Sequence, residues 1–360
     1  MPKGTLTVVI SAGQSRNPEK RGLEQAVATA ASQLNGVQVL RIPHLYDLAK
    51  NGETYQHLQR LPGDLVLISW LFTRAAHWIL DRNGVRGQVG EVELQQDFDE
   101  DTEPSAPELE GEQRVADVQP RPARQIYTLD FRASENPQDF VAEIERIAQL
   151  PAAASTPLTL EMLGRLEQPT NDTYVGSAAD SSAVGPAANS LPATLFGTSS
   201  LVSVDEQPAR RWYPVIDFSR CTNCMECIDF CLFGVYGVDA LETIVVEQAD
   251  NCRKGCPACS RVCPQNAIIF PQHKSPAIAG APVDAGGLKI DLSKLFGAPD
   301  AGEDAAAVAI RERDEQLLLA GRQAVGVTAG ISERLAEKAT GNQDADAFDD
   351  LLDQLDSLDL

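Results

Sequence analysis

The chain has 360 residues, with 52 acidic side chains against 30 basic ones and a formal net charge of −22. Its length allows two or three domains, and its acidity argues against nucleic acid or an anionic membrane as a partner, because both bind basic surfaces. Every apolar run is shorter than the roughly 20 residues of a membrane-spanning helix, and the N-terminal one predicts a buried strand rather than a signal peptide. We therefore expect a cytoplasmic protein.

The first 150 residues alternate between predicted strands and helices. Strands are expected at 5–13, 37–42, 64–72 and 125–131, and helices at 22–34, 54–60, 73–83 and 137–150. The strand at 64–72 is almost continuously apolar, which is typical of a strand covered on both faces. This alternation predicts an N-terminal α/β domain over 1–150 with an open, mostly parallel sheet. Residues 91–124, rich in Asp and Glu, are predicted to be an acidic insertion into it.

The rest of the chain divides by composition. Residues 151–204, rich in Ser, Ala, Gly and Pro, are predicted to be a flexible linker, and 205–272 a compact cysteine domain. A helical extension is expected over 273–340. Residues 341–360 contain seven acids and no base, and are expected to form a disordered acidic tail with amphipathic helical character. One helical face of this region carries Phe348, Leu351, Leu352, Leu355 and Leu358, and would dock on the protein itself or on a partner.

All eight cysteines lie in the cysteine domain, in two runs of four. The first run has the spacing C-x2-C-x2-C-x3-C, and the second has C-x3-C-x2-C-x3-C followed by Pro264. The two runs form an internal repeat with one inserted residue after Cys252. Clustered cysteines in a reducing compartment predict metal ligands rather than disulfides. The candidate ligands are Cys221, Cys224, Cys227, Cys231, Cys252, Cys256, Cys259 and Cys263.

The stretches YPVIDFSRCTNCMECIDFC and NCRKGCPACSRVCPQNAIIFP resemble bacterial-type ferredoxins with two [4Fe–4S] clusters. The resemblance implies an α+β ferredoxin-like domain in which the last cysteine of each run binds the other cluster. One cluster would then be held by Cys221, Cys224, Cys227 and Cys263, and the other by Cys252, Cys256, Cys259 and Cys231. Two positions depart from the family pattern. Leu232 replaces the proline that usually follows the first run, and Gly255 lies in a C-x3-C spacing where C-x2-C is usual.

Two other interpretations of the cysteines stay open. Eight thiolates also suit two structural zinc ions, each in a closed four-cysteine site. Alternatively, iron–sulfur clusters would only stabilise the fold of a scaffold protein. The electron-transfer interpretation is favoured because zinc ribbons usually have well-separated C-x2-C pairs rather than runs of four.

The N-terminal domain carries a second resemblance. SRNPEKRGLEQAVATAASQLNGVQV and VLISWLFTRAAHWILD are similar to the sirohydrochlorin-type small metal chelatases of tetrapyrrole synthesis. That family places one histidine in the turn after the first strand and another in the helix after the third. His77 matches the second, whereas Gly13 precedes the turn QSR and no histidine is present there. The resemblance implies an α/β fold, and we expect the domain over 1–150 to be chelatase-like or flavodoxin-like. His77 lies beside Trp78 in an apolar stretch, so it also fits a structural role.

These patterns predict an iron–sulfur electron-transfer protein with two [4Fe–4S] clusters, which shuttles low-potential electrons to or from a partner redox enzyme. We find no motif for a catalytic residue, so an electron carrier is favoured over an autonomous enzyme. The alternative is a redox enzyme, or a degenerate chelatase relative, whose N-terminal domain binds the substrate. A small-molecule ligand in that domain remains an expectation.

Overall fold

The structure, a computed structural model, describes residues 6–96, 113–150, 201–204, 206–282 and 305–326. Its largest described sheet is parallel throughout and has the strand order β4-β5-β3-β1-β2-β6. The strands are β1 (Leu6–Ser11), β2 (Val37–Ile42), β3 (Leu65–Ser69), β4 (Gln88–Val89), β5 (Gln125–Asp130) and β6 (Leu201–Ser203). The expected parallel α/β architecture of the N-terminal domain is therefore present.

Helices cover both faces of this sheet. They are α1 (Pro18–Ala31), α2 (Glu53–Arg60), α3 (Thr73–Arg82), α4 (Val115–Val118) and α5 (Pro137–Gln149). Every residue of β1 and β3 is buried. Side chains alternate between the faces: Val8 packs in a cluster with residues of α1 and α5, while Val9 packs in a second cluster with residues of α2 and α3. The continuous apolar runs in the sequence follow from this two-sided burial.

Helix α1 begins four residues earlier than predicted. Asn17 caps the helix by accepting a hydrogen bond from the Glu19 amide at 2.9 Å, and Pro18 occupies the first turn. Both features favour a helix start because proline needs no backbone partner there and asparagine satisfies a free amide. The sequence prediction of 22–34 was wrong at this end because it followed apolar spacing alone.

The cysteine region folds around two small antiparallel sheets and short helices. Strand β7 (Val215–Ile216) pairs with β10 (Ile268–Ile269), and β8 (Tyr236–Val238) pairs with β9 (Ile244–Val246). The helices are α6 (Glu226–Phe230), α7 (Ala258–Val262), α8 (Pro276–Ala279) and α9 (Ala305–Leu319). Each of α6 and α7 lies within one cysteine run, so the repeat in the sequence is also a repeat in secondary structure.

The α/β domain and the cysteine region share one buried apolar cluster. It includes Leu67 of β3 and Ile268 of β10. Tyr46 and Tyr213 stack across the boundary with ring centroids 4.2 Å apart, and the Tyr213 amide donates to the Tyr46 hydroxyl at 2.6 Å. The two parts are therefore packed together and are not merely joined by a tether.

Two predicted connecting segments contribute to this packing. The predicted linker 151–204 ends in β6, which lies at the edge of the sheet beside β2. The predicted acidic insertion 91–124 contains α4, whose Val115 amide donates to the Cys221 carbonyl at 2.9 Å. These short segments gain their structure from tertiary contacts rather than from local periodicity, so the sequence pattern does not indicate them.

Other predictions fall on residues that the structure does not describe. The tail 341–360 and residues 151–200 of the linker lie outside the described residues, as does 327–340 of the predicted helical extension. The described parts of that extension are 273–282, which contains α8, and 305–326, which contains α9. Within the described ranges, no helix combines the length and apolar character that a membrane crossing requires.

Candidate metal centre

The eight cysteines are free thiols that line two separate cavities. The first cavity has an empty volume of about 380 Å³, and the second has about 330 Å³, each including its opening to solvent. Each cavity takes three cysteines from one run and the last cysteine from the other. The first is lined by Cys221, Cys224, Cys227 and Cys263, and the second by Cys231, Cys252, Cys256 and Cys259.

The first cysteine run wraps its cavity through a sharp loop. Asn223 and Met225 both adopt left-handed backbone conformations, with φ of 62° and 64°. Asn223 is among the residue types that tolerate this conformation, and its side chain fixes the loop to β9. It accepts from the Ile244 amide and donates to the Glu242 carbonyl, both at 2.9 Å. Helix α6 then carries Cys227 and ends at Phe230, and Cys231, the next residue, lines the other cavity.

The second run accommodates its extra residue at Gly255. This glycine has φ of 86°, and no atom lies within 4 Å of the position that a Cβ would take. The left-handed turn is open to glycine at little steric cost, so the C-x3-C spacing bulges outward. Helix α7 then carries Cys259 and ends at Val262, immediately before Cys263.

Burial of these cysteines disfavours their thiolate forms. It raises the pKa of Cys221 to about 12 and that of Cys256 to about 11, and it raises the pKa of Cys227 and Cys252 as well. A bound cation would reverse this preference, because its positive charge stabilises the thiolates that it ligates. Sets of four cysteine thiols are soft donors of the kind that select zinc, copper(I) or iron–sulfur clusters.

Hydrogen-bond donors also face the sulfur atoms. The Ala267 amide donates to Cys263 Sγ at 3.3 Å, and the Tyr236 hydroxyl lies 3.0 Å from Cys259 Sγ. Such donors stabilise thiolate ligands and influence the reduction potential of a bound cluster. No group of three or more His, Cys, Asp or Glu side chains in the described parts of the chain is close enough to hold a single metal ion. Each cavity therefore offers four cysteine sulfurs to a thiolate-bound group.

Over 66 residues, the chain is 48% identical to an uncharacterized ferredoxin of Methanocaldococcus jannaschii. This match covers 18% of the chain and 44% of that ferredoxin, so the chain spans less than half of its relative. No family model and no solved structure matches the chain. The similarity and the cysteine-rich region together support a ferredoxin-like segment that binds iron–sulfur clusters. Neither the similarity nor the cysteine-rich region supports the resemblance of the N-terminal domain to chelatases.

Gly13 and His77 are the two positions that were compared with the chelatase histidines, and both contact neighbouring side chains. The Gly13 amide and the Trp70 indole Nε1 each donate to Glu24 Oε1 at 2.8 Å. A Cβ on Gly13 would lie 2.7 Å from Trp70 Cδ1, so the space for a larger residue is filled by this tryptophan. His77 is buried in α3 against Trp78, and burial lowers the pKa of its imidazole. The packing therefore explains Gly13, whereas His77 is buried with its Nδ1 atom lacking a hydrogen-bond partner among the described residues.

We expect Gly13→Ala to lower the free energy of unfolding by about 1–3 kcal/mol, because the added methyl group would force Trp70 or the backbone to move. The matched control is Gly22→Ala on the exposed face of α1, where a Cβ meets no atom within 4 Å. This control should raise stability by about 0.5–1 kcal/mol through helix propensity. Thermal and urea unfolding of both variants measures the difference. Equal stability of Gly13→Ala and the parent protein would show that Trp70 moves freely.

Proposed function

We propose that this protein is a cytoplasmic iron–sulfur electron carrier with one [4Fe–4S] cluster in each cysteine cavity, which exchanges low-potential electrons with a partner redox protein. The observation that carries the proposal is the division of eight cysteines into two cavities of four. Each set provides the number of thiolates that a [4Fe–4S] cluster needs. When bound, such a cluster accepts and donates single electrons.

The protein itself would hold the clusters and keep water away from them. Ile216, Ile244 and Ile268 line the first cavity beside its cysteines, and Phe230 and Val235 line the second. An apolar lining limits solvent access and thereby influences the potential and stability of a bound cluster. Most of the cysteines are buried or half-buried, which would also slow the loss of iron.

The α/β domain would act as a rigid support in this proposal. Its helix α3 contacts the cysteine region through Arg74, which bonds to the buried Asp217 and to the Asn266 carbonyl. A chelatase-like or other catalytic role for this domain has no comparable observation in its favour, since Trp70 and Glu24 occupy the space beside Gly13.

An anaerobic redox titration of the iron-loaded protein tests electron transfer against a purely structural role. We expect the visible absorbance to bleach on reduction and recover on reoxidation over several cycles, with an unchanged far-ultraviolet circular dichroism spectrum. Clusters that lose their colour only together with the folded spectrum would show that they serve the fold alone. A colourless zinc-loaded protein would exclude redox function.

A further inference from the structure

The two cysteine cavities differ in how they are covered. Helix α9 lies over the second cavity, whose wall includes Arg313 at only 1% exposure. The Arg313 guanidinium sits 4.8 Å from the centre of the Phe230 ring, and Glu312 accepts two hydrogen bonds of 2.9 Å from Arg261 of α7. Helix α9 therefore covers part of the second cavity, whose cysteines are all buried or half-buried.

The first cavity has a cysteine at the protein surface. Cys224 is exposed, and it lines both this cavity and an open groove on the surface. One wall of the groove is α4 of the α/β domain, with Val118 and Gln119, and the other is the turn between β8 and β9, with Leu241 and Thr243. Gln119 Nε2 donates to the Thr243 hydroxyl at 2.6 Å and thereby joins the two walls. The groove is thus built jointly by both parts of the protein.

The surface of this groove combines exposed apolar groups with negative charge. Val118 is 59% exposed and Leu241 is 68% exposed, so the groove presents two large apolar side chains at its surface. Three exposed acidic residues lie beside these side chains. Asp117 precedes Val118 in α4, and Asp239 and Glu242 lie with Leu241 in the turn between β8 and β9. An apolar centre with a charged rim is typical of a protein interface. The sign of the charge on the rim favours partner surfaces of the opposite charge.

We propose that this groove, defined by Val118, Gln119, Cys224, Leu241 and Thr243, is the docking site for a redox partner protein with a basic contact face. The proposal rests on the proposed function, because docking there would bring the partner next to the ligands of the first cluster. Acidic residues on the rim attract lysine and arginine side chains, and the net charge of −22 acts in the same direction. Electrons would therefore enter or leave through the first cluster, while α9 shields the second.

The probe for this proposal is a small lysine-rich c-type cytochrome, reduced by the iron-loaded, dithionite-reduced protein in a stopped-flow experiment at low ionic strength. The test variant is Glu242→Lys, and the matched control is Glu315→Lys on the exposed face of α9, which changes the net charge equally. We expect the second-order rate constant to fall about three- to tenfold for Glu242→Lys and to change less than about twofold for Glu315→Lys. Leu241→Ser, a second exposed change, should also slow the reaction.

Iron content and the reduced EPR spectrum are measured on each variant first, so that loss of a cluster is recognised separately from loss of docking. Hydrogen exchange with the same cytochrome locates its contact even if no cluster can be reduced. We expect protection at residues 113–119 and 239–243. Protection on α9 instead, or an equal slowing by Glu315→Lys, would overturn the docking site and leave the electron-carrier proposal standing. A protein that binds the cytochrome at the groove but cannot be reduced would refute the electron-carrier proposal alone.

Discussion

Replacing Cys221 and Cys263 together with alanine will remove about half of the iron, whereas replacing Cys221 and Cys231 together will remove nearly all of it. The first pair lies in one cavity, so the second cavity keeps its four cysteines. The second pair removes one cysteine from each cavity. Both variants lose two thiols, so the total number of ligands is matched and only their distribution differs.

Iron and sulfide analysis after anaerobic reconstitution measures this difference, and EPR shows which signal persists. If each sequence run held its own cluster, the result would be reversed: Cys221 and Cys231 would share a cluster, and Cys221 and Cys263 would not. The two double variants therefore test the exchange of the last cysteines directly, without an assumption about the potential of either cluster.

Arg74→Ala is expected to destabilise the protein by about 3 kcal/mol, because it removes the closer of the two arginines paired with the buried carboxylate of Asp217 and leaves only Arg220, at 3.8 Å. Asp217 has a side chain that is 2% exposed, and Arg74 reaches it from α3 across the boundary between the two parts. The Asp217 carbonyl also accepts from the Cys221 amide at 2.9 Å. Loss of Arg74 should therefore loosen the wall of the first cavity as well as the packing of the domains.

Thermal unfolding of the iron-loaded protein measures the stability, and the rate of iron removal by a chelator measures the loosening. The control is Arg86→Ala, which removes an exposed arginine from the α/β domain and should change neither quantity appreciably. If Arg74→Ala matched this control, the ion pair with Asp217 would not contribute to holding the cysteine region against α3.

The elements that carry strong local signals were predictable from the sequence. The apolar run at 64–72 contains β3, which is buried along its whole length. The cysteine spacing indicated two related metal-binding runs, and Gly255 provides the left-handed turn that the extra residue needs. These features were accessible because each depends on residues close together in the sequence.

Other features depend on distant partners and could not be predicted. Strand β6 is three residues long in a Ser- and Ala-rich region, and it forms only because β2 offers a free edge. The Arg74–Asp217 pair joins residues 143 positions apart, and nothing in the local sequence of either indicates it. Likewise, the sequence shows only that Gly13 lies in the turn where the chelatase family has a histidine. The structure shows that Trp70 packs against Gly13.

The most direct test of the central claim is the iron, sulfide and zinc content of the anaerobically purified protein, together with its EPR spectrum after dithionite reduction. Two [4Fe–4S] clusters predict about eight iron and eight sulfide per chain, with interacting S = ½ signals. Zinc in place of iron, or a colourless protein after anaerobic reconstitution, would contradict the claim and leave the two cysteine cavities as structural metal sites.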